Sequence, residues 1–272
     1  MKAVLFALIC STVALANADG AAAASGRVTV KYSLGLAGLP IGTASLSAVI
    51  TNDNYRIDAA ARIGGILALL SDGRGSGTAS GRMNGAKPLS NGYALSSMSS
   101  DKLQTVRMSM ASGTITKAEV SPPLTFRRDR IPVAANDKRG VLDPLSALLM
   151  PVAGSGDLTS PAACNRTLNV FDGAQRFDVA LTYSRMERIA GESGYSGPAV
   201  VCSARYVPIS GHRPKREQTR FMAANRDLEV WLAPIAGTRV LAPWRIVVGT
   251  QIGRLTIEAT RFSTSTESAD KI

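Results

Sequence analysis

The sequence predicts a mainly β fold: one large curved antiparallel sheet forming an open barrel or β-spiral, with one short helix at about 143–150 packed against it. Three observations predict this. Segments along most of the chain alternate apolar and polar residues with a period of two, the mark of a strand with one buried face. Gly, Pro, Asn and Asp interrupt these segments at short intervals, as turns between consecutive strands require. Helix signals gather in one stretch, where Asp143 suits the N-cap, Pro144 the first helical position and Pro151 the stop.

In chain order, residues 1–18 read as an export signal. Lys2 supplies the positive start, an apolar run follows, and Ala16-Asn17-Ala18 is an A-x-A cleavage site. The apolar run is shorter than the roughly 20 residues that a membrane span needs. Ile9 before Cys10 does not fit lipid attachment, which needs a small residue there. The expectation is a periplasmic product with a flexible lead at 19–26, a single β-rich domain at 27–262 and a flexible polar tail at 263–272, with no transmembrane span.

The domain opens with a strand at 27–36, where Val28, Val30, Tyr32 and Leu34 face one way and Arg27, Thr29, Lys31 and Ser33 the other. Gly38 and Pro40 turn the chain into a second strand at 41–50. Asn52-Asp53-Asn54 leads to a third at 55–63, and a short apolar run at 66–70 has the length of a helical turn. The segment SDGRGSGTASGRM has glycines at 73, 75, 77 and 81, a spacing that fits neither a dinucleotide fingerprint nor a P-loop. It reads as a strand whose small residues permit tight curvature, the favoured reading, or close approach of a ligand. Strands at 93–98, 103–110 and 114–120 continue the meander, with Val106, Met108 and Met110 as core filler.

Beyond the predicted helix, Phe177, Val179, Leu181 and Tyr183 share one strand face and Arg176, Asp178, Ala180 and Thr182 the other. After a charged loop reaching Asp227, three late strands follow, around Leu228–Leu232, Trp244–Val248 and Leu255–Thr260. Removing Cys10 with the signal leaves Cys164 and Cys202, an even count that favours a structural disulfide in an oxidising compartment.

The formal net charge is +11, but the positive residues are scattered and aromatics make up only 5% of the chain, which argues against a nucleic-acid platform. Phospholipid or lipopolysaccharide head groups and cell-wall polymers are the more natural anionic neighbours, and solubility is the equal alternative reading of the charge. There is no G-x-S-x-G elbow, and the one histidine, His212, sits in a Gly-His-Arg-Pro turn. One histidine beside two paired cysteines does not make a zinc site, and no cofactor is expected. Asp172, Asp178, Asp227, Glu229 and Glu258 offer no evident catalytic pair. The ligand-binding candidates are His212 and Arg213 with Trp231 and Trp244, read as holding an anionic head group at the mouth of an apolar cavity. The alternative is that Arg213 makes a loop-ordering salt bridge and the tryptophans fill core space.

The motifs SDGRGSGTASG, RGVLDPLSALLMP, PAACNRTLNVFDGAQRFDV, YSGPAVVCSARYVPISGHRP, DLEVWLAPIAGTRVLAPWRI and GRLTIEATRF run through nearly the whole domain. Together they resemble the bacterial exported proteins grouped as domain of unknown function 3108. The resemblance implies a periplasmic, β-rich envelope protein and carries no assigned activity. The function expected is a non-enzymatic cell-envelope protein binding a lipid-like or envelope ligand or a protein partner. The alternatives are a hydrolase or transferase acting on envelope polymers, or a purely structural interaction module.

Overall fold

The computed structural model of the protein describes residues 25–51, 54–64, 73–85, 87–125 and 127–266. The stretch at 1–18 read as an export signal, most of the predicted lead, Asn52-Asp53, the apolar run at 66–70 and the end of the predicted tail lie outside the described residues. Seven strands come first: β1 (Ser25–Leu36), β2 (Leu39–Thr51), β3 (Asn54–Ile63), β4 (Arg74–Asn84), β5 (Lys87–Ser99), β6 (Lys102–Ala111) and β7 (Thr114–Ser121). A long connection carries the two-residue β8 (Met150–Pro151). The second set is β9 (Arg166–Phe171), β10 (Arg176–Ala190), β11 (Ser196–Ser210), β12 (Leu228–Pro234), β13 (Val240–Thr250) and β14 (Gly253–Thr266), with helix α1 (Glu217–Ala224) between β11 and β12.

All these strands belong to one antiparallel sheet, in the order β7-β6-β5-β4-β3-β2-β1-β14-β13-β12-β11-β10-β9, with β8 added beside β13. β1 is the hinge of this order. It pairs with β2 along one edge and with β14 along the other, so the first and last strands join the two sets. The sheet is open, ending at β7 and β9, and no ladder joins those edges among the described residues. The connection bridges the gap instead. The Val141 N–H donates to the carbonyl of Gly113 in the β6–β7 turn, the Leu142 N–H donates to Asn169, and Phe171 donates back to Leu142.

The alternation predicted from sequence is what curls the sheet. Val28, Val30, Tyr32, Tyr55, Ile57, Tyr93, Val106, Met108 and Met110 are buried inside, while Arg27, Thr29 and Lys31 are exposed outside. Each buried side chain adds roughly 1.5–3 kcal/mol relative to exposure. The small-residue strand, β4, allows interior side chains to press against the wall: a Cβ at Gly81 would collide with the Tyr55 hydroxyl.

Three details differ from expectation. The predicted 143–150 helix is one 3-10 turn, Ser146–Leu148, even though its cap forms as predicted. So short a helix does not recover its nucleation cost, and the chain is drawn at once into β8, where Met150 pairs with Leu241 and Pro151 with Val240. The α-helix is α1, in the stretch read as a charged loop, and none of its residues is buried. The sheet also extends past the predicted domain limits, because β1 starts at Ser25 and β14 runs to Thr266, with Gly26 opposite Thr266.

Cys164 and Cys202 form a disulfide with their Cα atoms 5.3 Å apart, closing a separation of 38 residues. Cys164 follows the 3-10 turn Pro161–Ala163 and Cys202 lies in β11, so the bond ties the connection to the second strand set. Both are fully buried among Ala163, Val200, Leu232 and Leu241. Chain entropy assigns a loop of this length about 4 kcal/mol of stabilisation. Cys202→Ser is expected to lower the melting temperature under oxidising conditions by roughly 10 °C for a domain of this size. An unchanged thermal melt would show that the bond does not support the fold.

Candidate functional site

The site is built from the connection inward. Asp143 is fully buried at an elbow, where its Oδ1 accepts the N–H groups of Leu145 and Ser146, both at 2.9 Å, and its Oδ2 accepts the Ser146 hydroxyl. The Tyr55 hydroxyl donates to Ser146 Oγ at 2.7 Å, and the Asp143 N–H donates to Ser90 Oγ at 3.3 Å. Burial pushes the Tyr55 phenol up to about 12, with the Ser146 and Ser90 hydrogen bonds opposing it in part. Burial also raises the Asp143 carboxyl above its ordinary 3.8, against the hydrogen bonds from Ser146, Ser90 and Leu145. This polar knot touches neither cavity described next. Its work is to aim Leu145 and Leu148 into the barrel.

Two apolar cavities flank that turn. One, about 350 Å3, lies against the inner wall of β2–β5 and is bounded by Ala44, Ala59, Gly77, Leu95 and Leu145. A Cβ at Gly77 would come within 3.3 Å of Leu145 Cδ1, so this glycine keeps the wall clear of the plug. The other, about 220 Å3, lies against the second strand set and is lined by apolar residues apart from Glu229. Leu148, Pro243 and Ile246 border both cavities, so the two adjoin as a first and a second lobe. Phe177, Val179 and Leu181, the strand face read from alternation, line the second lobe. The Tyr32 hydroxyl, beside the first lobe, donates to the Pro243 carbonyl at 2.7 Å, and burial holds its phenol neutral well above the ordinary range.

The four ligand-binding candidates do not form one mouth. Trp231 and Trp244 meet, with ring centroids 5.8 Å apart, where β13 and β14 part: their ladder runs only from Arg245–Glu258 to Thr250–Gly253. The Trp244 indole N–H donates to Ser193 Oγ at 2.9 Å. The Arg185 and Arg245 guanidinium carbons each lie 5.4 Å from a Trp231 ring centroid. Arg185 also grips Glu229 through two hydrogen bonds of 2.8 and 3.1 Å, which hold that carboxyl below the usual range. Sequence reasoning missed Arg185 because a register shift at Tyr183/Arg185 breaks the alternation there.

His212 and Arg213 sit elsewhere. Trp231 is opposite Val201, and the nine residues of β11 from there to Ser210 span roughly 30 Å. Arg213 binds Asp129 at 2.9 Å, and His212 is buried with its carbonyl accepting the Ile131 N–H. The other carboxylates considered are also engaged. Asp172 accepts the N–H groups of Ala174 and Gln175, and Asp178, Asp227 and Glu258 pair with Arg176, Arg254 and Arg245. Among the described residues no group of three or more His, Cys, Asp or Glu could hold a metal ion.

The family described as "Protein of unknown function (DUF3108)" matches residues 27–260. The chain belongs to this family. No curated protein matches it in sequence. The DUF3108 fold is similar to the crystal structure of a beta-barrel-like protein of domain of unknown function DUF1849 from Brucella abortus, with a TM-score of 0.50. That likeness covers 90% of this chain and 99% of the other at 8% identity, and it extends to the fold alone.

The raised carboxyl of Asp143 gives a test of the elbow. Stability linked to its neutral form is fully present below the unfolded value and is lost as pH rises through the raised folded value. Asp143→Asn retains the Oδ1 acceptor and cannot ionise. The melting temperature of the wild type relative to Asp143→Asn should therefore fall as pH is raised from about 4 toward neutrality. A difference that stays flat with pH would refute a buried, ionising Asp143.

Proposed function

We propose that this DUF3108 protein is a non-enzymatic, periplasmic cell-envelope protein that holds an apolar, lipid-like ligand in its interior. The observation that carries this reading is the pair of adjoining, predominantly apolar lobes that share Leu148, Pro243 and Ile246. A barrel built to be solid would fill that space, since interiors otherwise pack to crystal-like density. Its side chains supply dispersion and desolvation with few hydrogen bonds, which fits a hydrocarbon chain better than a sugar or a peptide. Export is supported by the signal pattern at 1–18 and by the buried disulfide, which suits an oxidising compartment. The ion pairs that engage Asp178, Asp227, Glu229 and Glu258 favour binding over the hydrolase alternative, because a catalytic carboxylate must be free to reach substrate.

Two measurements test the reading. Native mass spectrometry of protein taken from its own periplasm should show a co-purifying apolar species, and a dansyl-labelled fatty acid should bind the delipidated protein. Ala61, an exposed residue of β3, lines the first lobe and is not part of the buried core. Ala61→Phe is expected to weaken the dansyl probe by about tenfold or more, equivalent to about 1.4 kcal/mol, with an unchanged melt. No bound species together with no binding of the probe would end the lipid-carrier reading.

A further inference from the structure

The outer face of β1–β5 carries a second feature, separated from the first lobe only by the thickness of the sheet, so that Ser45, Ala60 and Ser76 border both. A groove of about 600 Å3 crosses this face and no carboxylate lines it. Its floor is one cross-strand row, Ser45, Ala60, Ser76 and Ser96, which are paired in register from β2 to β5. Side chains this small leave the trough open. Lys31, paired with Ser45, closes one end, while the next row places Arg62 directly opposite Arg74 across β3 and β4.

Two like charges directly opposite on neighbouring strands repel and destabilise the ladder. Around Trp231 the arginines Arg185 and Arg245 each hold a glutamate. Lys31, Arg62 and Arg74 hold no carboxylate among the described residues, and the Arg74 guanidinium contacts Met98 Sδ at 3.0 Å. Three exposed cations therefore converge on a trough whose other polar groups are hydroxyls, including those of Thr43 and Ser45. Guanidinium groups bind phosphate oxygens through paired, charge-assisted hydrogen bonds, and serine and threonine hydroxyls add neutral donors.

We infer that this groove binds a phosphate-bearing group, held between Arg62 and Arg74 with Lys31 at the far end. The shared chemistry is the phosphoryl oxygen, carried either by a lipid head group or by a free phosphate ester. The anion relieves the Arg62–Arg74 repulsion, so binding and local stability rise together.

The experiment compares three folded proteins: wild type, Arg62→Gln/Arg74→Gln, and Arg205→Gln/Arg220→Gln, which removes the same charge from exposed sites outside the groove. Each is titrated calorimetrically with inorganic pyrophosphate and floated with phosphatidylcholine vesicles with and without phosphatidylglycerol. Wild type should bind pyrophosphate or the anionic vesicles. The groove variant should weaken by about tenfold or more, while the control keeps wild-type affinity. Binding of pyrophosphate alone identifies a free phosphate ester as the source, and binding of anionic vesicles identifies a lipid head group. Without ligand, the groove variant should melt no lower than wild type. Failure of both probes, equal loss in the control variant, or a lower melt of the unliganded groove variant would each overturn the inference.

Discussion

The Asp143 carboxylate fixes the elbow at which the chain turns from the sheet edge into the barrel, and the rest of the architecture follows from that turn. On one side of it, Val141 and Leu142 hydrogen-bond to Gly113 and Asn169, bringing the two free edges of the sheet within reach of each other. On the other side, Leu145 and Leu148 enter the interior and Met150 pairs with β13. An open sheet presents backbone donors and acceptors along its last strands, which is a hazard for association. Here a loop, anchored by one carboxylate and the Cys164–Cys202 bond, covers part of that exposure without closing the ladder.

The same elbow leaves unfilled space on both sides of it. A continuous α-helix over 143–150 would lay more side chains along the barrel axis. A single 3-10 turn projects Leu145 and Leu148 and leaves room on both sides. The parting of β13 from β14 near Trp244 has a related effect at the sheet's middle. It frees the Pro243 carbonyl for Tyr32, and it sets the indole against Ser193 of the β10–β11 hairpin, outside the ladder.

Much of the sheet was legible because strand alternation is a local signal. Val28, Val30 and Tyr32 in β1 declare their buried face within a few residues, and Phe177, Val179 and Leu181 in β10 declare the face that lines the second lobe. The Asp143 cap and the cysteine clasp were also readable, since each depends on residue type and near spacing. The separation of Trp231 from His212 was not, because it is set by the register of Val201 against Trp231, a pairing between strands that no neighbouring residue encodes. Helix α1 escaped notice because none of its residues is fully buried and Met222 is its one side chain packed on the second core cluster, too little for an apolar stripe. The network of Tyr55, Ser90, Asp143 and Ser146 joins positions far apart in the chain, and only the fold brings them together. The groove arginines were visible as charges, but their opposition across β3 and β4 appears only with the pairing.

The pairing of β1 with β14 also governs how the fold is acquired. Val30 lies opposite Phe262, so the strand made first keeps one edge unpaired until the strand made last is in place. The β1–β7 meander can form from local hairpins, but the loop-closure entropy of this seam is met late, and contacts of such long sequence separation belong to slow-folding topologies. Until then the β1 edge is a template for pairing with other chains. The assembly step most sensitive to concentration and temperature is thus the docking of the final strand.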